Sequence, residues 1–226
     1  MDKYSRILIF AIAAMVMAFC AAMLVGAEEP RPRPLDLPAG KAFKDDEDED
    51  DPESIIFYGQ EYEADAFFWC VDRSGSMNGP PIIALRAELQ SAVSGLSRQA
   101  EFGLVTFSNG AEKYKPHPVR ARPSEKAAAI AWIQAIAPNG MTCLGDGGVA
   151  CLEVANQCRK RNKRMICMAD GGANCPGCAT EVPQITTANW QRIPIDTLFV
   201  GSSANGADCL EQLANENGGT FALIGP

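Results

Sequence analysis

Three oxygen-bearing side chains occur at alternate positions directly after a run of apolar residues. The apolar run is Ala66–Val71, and Asp72, Ser74 and Ser76 follow it. One carboxylate and two hydroxyls on a turn suit a hard cation such as Mg²⁺, because such ions prefer oxygen ligands and keep some of their water. Small polar residues are common in turns, so the same spacing also describes a capped loop that holds no metal.

The residues around this turn predict an α/β fold. The unbroken apolar run Ala66–Val71 is typical of a strand buried on both faces, as in the centre of a parallel sheet. Downstream, helical and strand patterns alternate, which predicts three layers: a doubly wound, mainly parallel sheet with helices on both faces. The predicted helices are 81–97, 123–136, 144–160, 182–190 and 208–217, and the further strands are 101–108, 111–115, 165–170, 193–200 and 220–224. Ligands of such sheets bind beyond the carboxyl ends of strands, where Asp72 and Asp170 both stand.

The turn and two later segments together resemble the metal-ion-dependent adhesion site of von Willebrand factor type A domains. Asn139-Gly140-Met141-Thr142 stands where that family has a threonine on a Gly-rich loop, and the strand ending in Asp170 stands where it has an aspartate. The resemblance covers about residues 65–225 and implies five metal-site positions: Asp72, Ser74, Ser76, Thr142 and Asp170. Met141 and Ala169 depart from the family pattern, but neither departure removes a ligand.

This resemblance implies a binding module and not an enzyme. Two carboxylates balance a divalent charge, and hydroxyls add neutral oxygens. If some of these contacts run through water, the cation keeps a position open for an oxygen from outside. We expect Mg²⁺, with Mn²⁺ or Ca²⁺ as alternatives, and a protein partner that offers an Asp or Glu carboxylate. A scaffold with a purely structural metal is an alternative. The single histidine, His117, lies between two prolines and is expected on the surface.

Three cysteines stand beside the predicted metal loops: Cys143, Cys175 and Cys178. Exported thiols that meet on one surface tend to oxidise, so we expect at least one of them in a disulfide that braces the loops. The spacing Cys175-Pro-Gly-Cys178 leaves two alternatives open, an envelope thiol–disulfide oxidoreductase or half of a zinc site with Cys143. Cys70 and Cys167 fall in predicted core strands, where a free buried thiol is expected.

The N-terminal segment predicts export. Lys3 and Arg6 precede the apolar stretch 7–26, and Val25-Gly26-Ala27 has the shape of a cleavage site. The stretch is long for a signal peptide and just long enough to span a bilayer, so residues 1–27 are predicted to be a signal peptide or a membrane anchor. Residues 28–60 are predicted to be a Pro-rich, acidic linker and 61–226 the domain, secreted, periplasmic or membrane-anchored outside the cytoplasm.

The charge distribution does not indicate the basic surface that nucleic-acid binding requires. The formal net charge is −8, and residues 45–53 contain eight acids and no bases. From Ser54 onward the sequence has 14 bases and 16 acids, so the domain is nearly neutral. The basic run 159–164 is expected to be a solvated helix end.

Overall fold

Nine strands and five helices lie in the part of the chain that this computed structural model describes, residues 52–202 and 204–225. The strands are β1 Glu53–Phe57, β2 Gln60–Ala64, β3 Ala66–Asp72, β4 Glu101–Phe107, β5 Ala111–Lys113, β6 Val119–Arg120, β7 Lys163–Ala169, β8 Ile195–Phe199 and β9 Phe221–Leu223. The helices are α1 Pro80–Gly95, α2 Pro123–Ala135, α3 Leu144–Ala155, α4 Cys178–Ala188 and α5 Ala204–Glu216. The predicted signal peptide or anchor, 1–27, and residues 28–51 of the predicted linker lie outside the described residues.

The central sheet has the strand order β5-β4-β3-β7-β8-β9, and β6 also pairs with β4. Strands β3, β4, β7, β8 and β9 run parallel, whereas β5 and β6 are antiparallel to β4. The prediction of a mainly parallel sheet is confirmed. None of the helices within residues 52–202 and 204–225 is long and apolar enough to cross a membrane.

The side chains of β3 alternate between two hydrophobic cores, one on each face of the sheet. Phe67 and Trp69 belong to the core that α1, α2 and the β1–β2 hairpin cover. Phe68 and Cys70 belong to the core that α3, α4 and α5 cover. Every residue of β3 is buried, which explains the unbroken apolar run and confirms the three-layer prediction.

Helix α3 packs closely against both the sheet and α4 because its first turns contain glycines. A Cβ atom added to Gly147 would stand 2.6 Å from ring atoms of Phe107, and one added to Gly148 would stand 2.6 Å from Ile185 of α4. Real Cβ atoms are not found at such distances, so only glycine permits this approach. The close packing fixes the start of α3 next to the loop that contains Thr142.

The hairpin β1–β2 includes residues 53–60, which the sequence analysis assigned to the linker. Ile55 and Phe57 are buried in the core beside α1, so this end of the stretch belongs to the folded domain. The turn has positive φ at both central residues, Tyr58 (50°) and Gly59 (74°). The acidic residues before Glu53 obscured the short alternating pattern that follows them.

Three predicted helix boundaries differ from the structure by four residues or more, among them the start of α5, which is Ala204 and not 208. The helix predicted to run to 160 ends at Ala155, and the basic run continues directly into β7, which begins at Lys163. Arg164 forms an ion pair with the fully buried Asp196, 2.6 Å between nitrogen and oxygen, so part of the basic run is structural and not a solvated helix end. Helix α4 begins at Cys178 rather than at 182.

Candidate metal site

Strand β3 ends at Asp72, and the chain then turns into a short 3₁₀ helix, Gly75–Met77. The backbone N–H of Ser74 donates a hydrogen bond to Asp72 Oδ1 at 2.6 Å, which fixes the turn. Asp72 is fully buried and Ser74 nearly so, whereas Ser76 is exposed. The turn therefore runs from the core to the surface at the carboxyl edge of the sheet.

A chain of side-chain hydrogen bonds links this turn to the end of β7. The hydroxyls of Ser74 and Ser76 are 3.0 Å apart, and Ser76 Oγ donates to Asp170 Oδ1 at 2.8 Å. Asp72 joins this chain through the hydrogen bond from the Ser74 N–H. The structure thus brings together four of the five predicted positions: Asp72, Ser74, Ser76 and Asp170.

The fifth position, Thr142, lies on an adjacent loop that contacts the turn through its backbone. Gly75 N–H donates to Gly140 O at 3.0 Å, and Asn139 N–H donates to Arg73 O at 2.8 Å. Gly140 has a φ of +74°, which favours glycine, and a Cβ there would stand 2.6 Å from Asn109 Oδ1. Two backbone hydrogen bonds therefore hold the threonine loop beside the Asp-x-Ser-x-Ser turn.

Three polar residues that sequence reasoning did not single out support these loops. Asn174 exchanges two hydrogen bonds with Thr142: its Oδ1 accepts from Thr142 N–H at 2.9 Å, and its own N–H donates to Thr142 O at 3.1 Å. Asn109 Oδ1 accepts from Met141 N–H at 2.8 Å. Buried Glu181 accepts backbone N–H groups of residues 145, 175 and 177 at 2.7, 2.7 and 3.0 Å. Some of these contacts join loops that are far apart in sequence, and the others lie within one loop whose conformation has no sequence pattern. The sequence alone therefore does not predict these contacts.

The carboxylate of Asp72 has one oxygen without a partner among the described residues. Oδ2 is buried and accepts no hydrogen bond there. Burial raises the pKa of Asp72 to about 7 in spite of its hydrogen bonds with Ser74, and the nearby charge of Asp170 raises it further. An unpaired buried oxygen is costly, and a cation beside it would satisfy both the lone pairs and the charge.

The donor set fits a hard divalent cation. It comprises the carboxylates of Asp72 and Asp170 and the hydroxyls of Ser74, Ser76 and Thr142, all of them oxygen ligands. Within the described residues, no group of three or more His, Cys, Asp or Glu side chains is placed to hold a metal ion. The candidate site is a mixed set of carboxylates and hydroxyls.

Two disulfides brace the loops around the candidate site. Cys143 pairs with Cys175, and Cys178 pairs with Cys209 at the side of α5. The predicted disulfide involvement of the loop cysteines is confirmed. Cys175 and Cys178 each bond to a distant cysteine and not to each other, which does not favour the redox or zinc alternatives.

Among the described residues, four further cysteines are free and buried, all in the core that α3, α4 and α5 cover: Cys70, Cys151, Cys158 and Cys167. The prediction of free buried thiols at Cys70 and Cys167 is confirmed. Cys70 and Cys167 are register partners on β3 and β7, where they pack as small apolar side chains.

A mainly parallel sheet with helices on both faces, and with polar turns at its carboxyl edge, defines the class of doubly wound, Rossmann-like α/β domains. The chain belongs to the von Willebrand factor type A domain family, whose sequence profile matches residues 68–223. The family consists of protein-interaction and adhesion modules.

Two mammalian proteins are among the similar sequences. The chain is 30% identical over 158 residues to inter-alpha-trypsin inhibitor heavy chain H3 of Rattus norvegicus, a match that covers 66% of this chain and 18% of that protein. The Mus musculus protein of the same name is 28% identical over 163 residues, covering 68% of this chain and 18% of its own length. The chain thus spans less than a fifth of these relatives.

Solved structures show the same fold at low sequence identity. A von Willebrand factor type A protein from Catenulispora acidiphila has a TM-score of 0.64 at 20% identity, covering 73% of this chain and 40% of that chain. The vWF domain of the type V pili tip protein Mfa5 from Porphyromonas gingivalis has a TM-score of 0.59 at 14% identity, covering 76% and 91%. At these identities the likeness establishes the fold alone.

Proposed function

We propose that this domain binds a protein partner through a divalent cation, Mg²⁺ in the first place, held by the five oxygen-bearing residues described above. The single observation that carries the proposal is the buried Asp72 carboxylate, whose Oδ2 has no partner within the described residues. A fold that buries an ionisable group with an unpaired oxygen loses stability unless another group compensates it. A divalent cation is the compensating group that the surrounding hydroxyls suit.

The surroundings of the site support a ligand from outside. Ser76 is exposed and Asp170 is half-buried, so the set of oxygens opens to solvent on the side away from Asp72. Met141, 50% exposed, lies on the threonine loop and offers an apolar contact at the rim of the site. A carboxylate from a partner's Asp or Glu is the ligand that a cation with an open position favours, and apolar contact with Met141 would add to its binding.

The cation's part in this function is to attract the partner's carboxylate. The protein's part is to hold the oxygens in place: the Ser74 N–H fixes Asp72, and the Asn174 amide fixes the Thr142 loop. We propose a binding role and no catalytic one. The oxidoreductase alternative loses support because Cys175 and Cys178 are bonded to other cysteines.

We also propose that the domain works outside the cytoplasm. The basic residues Lys3 and Arg6 with the apolar stretch 7–26 support export, and disulfides are typical of oxidising compartments. Cell fractionation with N-terminal sequencing of the product tests this proposal. A soluble cytoplasmic product that retains Met1 would contradict it.

Retention of partner proteins on the immobilised domain tests the binding function. We expect partners that are retained in Mg²⁺, released by EDTA and absent from an Asp72→Asn column. Asp65→Asn is the matched control, because Asp65 directly precedes β3 and so lies at its opposite end from Asp72. Partners that stay bound in EDTA and on the Asp72→Asn column would contradict metal-dependent binding. The remaining interpretation would then be a scaffold with a purely structural metal.

A further inference from the structure

A cavity opens beside the candidate metal site, between the end of α2 and the β4–β5 hairpin. Its volume is about 230 Å³, and it is lined by Arg73, Thr106, Glu112, Trp132 and residues 135–137. None of the five predicted metal-site residues lines it, although Arg73 stands between two of them in sequence. The cavity, called the Arg73 cleft below, is therefore a separate place from the metal site.

Two buried polar atoms of the Arg73 cleft have no partner among the described residues. They are Nε of Arg73 and Oγ1 of Thr106, a residue that is 1% exposed. The other guanidinium nitrogens of Arg73 are engaged: one donates to Asn139 Oδ1 at 3.1 Å and to Ala137 O at 3.4 Å. Unpaired buried donors are rare and costly, so two of them on residues that line the same cavity indicate a ligand with acceptor oxygens.

We propose that the Arg73 cleft binds a carboxylate attached to an apolar body. Arg73 Nε–H donates to one carboxylate oxygen, and the Thr106 hydroxyl donates to the carboxylate from the floor of the cleft. The half-buried side chain of Trp132 and the residues at the end of α2 provide the apolar wall for the remainder of the ligand.

Glu112 lies at the mouth of the cleft and competes with a bound carboxylate for Arg73. Its Oε2 is 3.6 Å from a terminal nitrogen of Arg73, and its side chain is 59% exposed. Thr106 and Glu112 are register partners on β4 and β5, so both side chains point toward the same cavity. An exposed ion pair of this kind is weak, and an incoming carboxylate displaces Glu112 from Arg73.

The proposal goes beyond the metal-dependent function and does not depend on it. The test therefore uses the full protein in EDTA, so that a cation at Asp72 contributes nothing to carboxylate binding. The probe is 3-phenylpropionate, followed by ¹H–¹⁵N NMR shifts, the Trp132 indole N–H among them. We expect saturable shifts around the cleft with a Kd on the order of 1 mM, and no saturation with the neutral amide 3-phenylpropionamide.

Matched variants separate the cleft from non-specific binding. Thr106→Val removes the hydroxyl and keeps the shape, and it is expected to fold normally because that hydroxyl has no partner to lose. We expect about tenfold weaker binding of phenylpropionate in Thr106→Val, no change in the exposed control Thr187→Val on α4, and tighter binding in Glu112→Gln.

The source of the carboxylate is distinguished by a second probe, acetyl-Gly-Phe with a free C-terminal carboxylate. Tighter binding of this dipeptide than of phenylpropionate assigns the cleft to a protein C-terminus, and the reverse assigns it to a small organic acid. Equal binding of phenylpropionate and its amide, or unchanged binding in Thr106→Val, would overturn the proposal and leave the cleft to solvent.

Discussion

Replacing Asp72 with asparagine tests the electrostatics that underlie the candidate metal site. In the metal-free protein, burial raises the pKa of Asp72 from 3.8 to about 7. The difference in pKa is about three, and at 1.36 kcal/mol for each unit the ionised carboxylate destabilises the metal-free fold by about 4 kcal/mol. Asparagine keeps Oδ1 as an acceptor for the Ser74 N–H and carries no charge.

The sign of the pH dependence follows from where the proton is held. Between about pH 4 and about pH 7 the folded protein keeps the Asp72 proton, whereas the unfolded chain has released it. The free energy of unfolding of the metal-free wild type therefore falls as the pH rises through this range, and it levels off above pH 7. The variant has no proton to lose at this position and lacks this dependence.

Urea unfolding in EDTA, with the disulfides intact, measures the effect. At pH 4 we expect the two proteins to differ by no more than about 1 kcal/mol, because the protonated carboxyl group and the amide are both neutral and each buries an unpaired donor at this position. By pH 8 the balance should shift by about 4 kcal/mol in favour of the variant, which leaves it the more stable protein. Asp65→Asn reports the effect of removing a carboxylate at the other end of β3.

The same urea-unfolding assay in the presence of Mg²⁺ tests whether the cation compensates the negative charge of Asp72. At pH 8 the wild type should gain stability with increasing Mg²⁺, by about 2.7 kcal/mol at a concentration a hundredfold above Kd, and Asp72→Asn should gain almost none. A stability difference between the two proteins that stays constant from pH 4 to pH 8 would refute the reasoning, because it would mean that Asp72 does not titrate in the buried environment described here.

Three further changes test the support of the site. Gly147→Ala places a methyl group 2.6 Å from an aromatic ring of β4 and should cost about 1–3 kcal/mol in urea unfolding, whereas Gly95→Ala, which meets open space, should not. Asn174→Ala should weaken Mg²⁺ binding about tenfold by calorimetry with little loss of stability; unchanged affinity would contradict its positioning role. Replacing both Cys143 and Cys175 with serine removes a link between residues 32 apart and should cost about 3–4 kcal/mol, and an unchanged urea midpoint would contradict the brace.

The sequence was most informative where function and topology leave local patterns. The apolar run of β3 predicted a buried central strand because both faces of that strand are covered, and Asp72, Ser74 and Ser76 follow it at once. Asp170 was found because it follows another strand of the same kind. The carboxyl ends of neighbouring parallel strands meet at one edge, so two local observations sufficed to place residues 98 positions apart together.

The sequence was least informative where structure depends on non-local partners. Eight cysteines downstream of Cys20 allow 105 pairings, and only the folded course of the loops selects Cys143–Cys175 and Cys178–Cys209. The β1–β2 hairpin was missed because its turn, Tyr58-Gly59, lacks the usual Asn-Gly or Asp-Gly signal, although both residues have the positive φ of that turn type.

Titration of the full protein with Mn²⁺, followed by the electron paramagnetic resonance signal of free Mn²⁺, tests the central claim most directly. We predict one bound ion for each chain, displaced by Mg²⁺, lost in Asp72→Asn and retained in Asp65→Asn. A wild-type protein that leaves all of the Mn²⁺ free, or an Asp72→Asn variant that binds it as the wild type does, would contradict the claim.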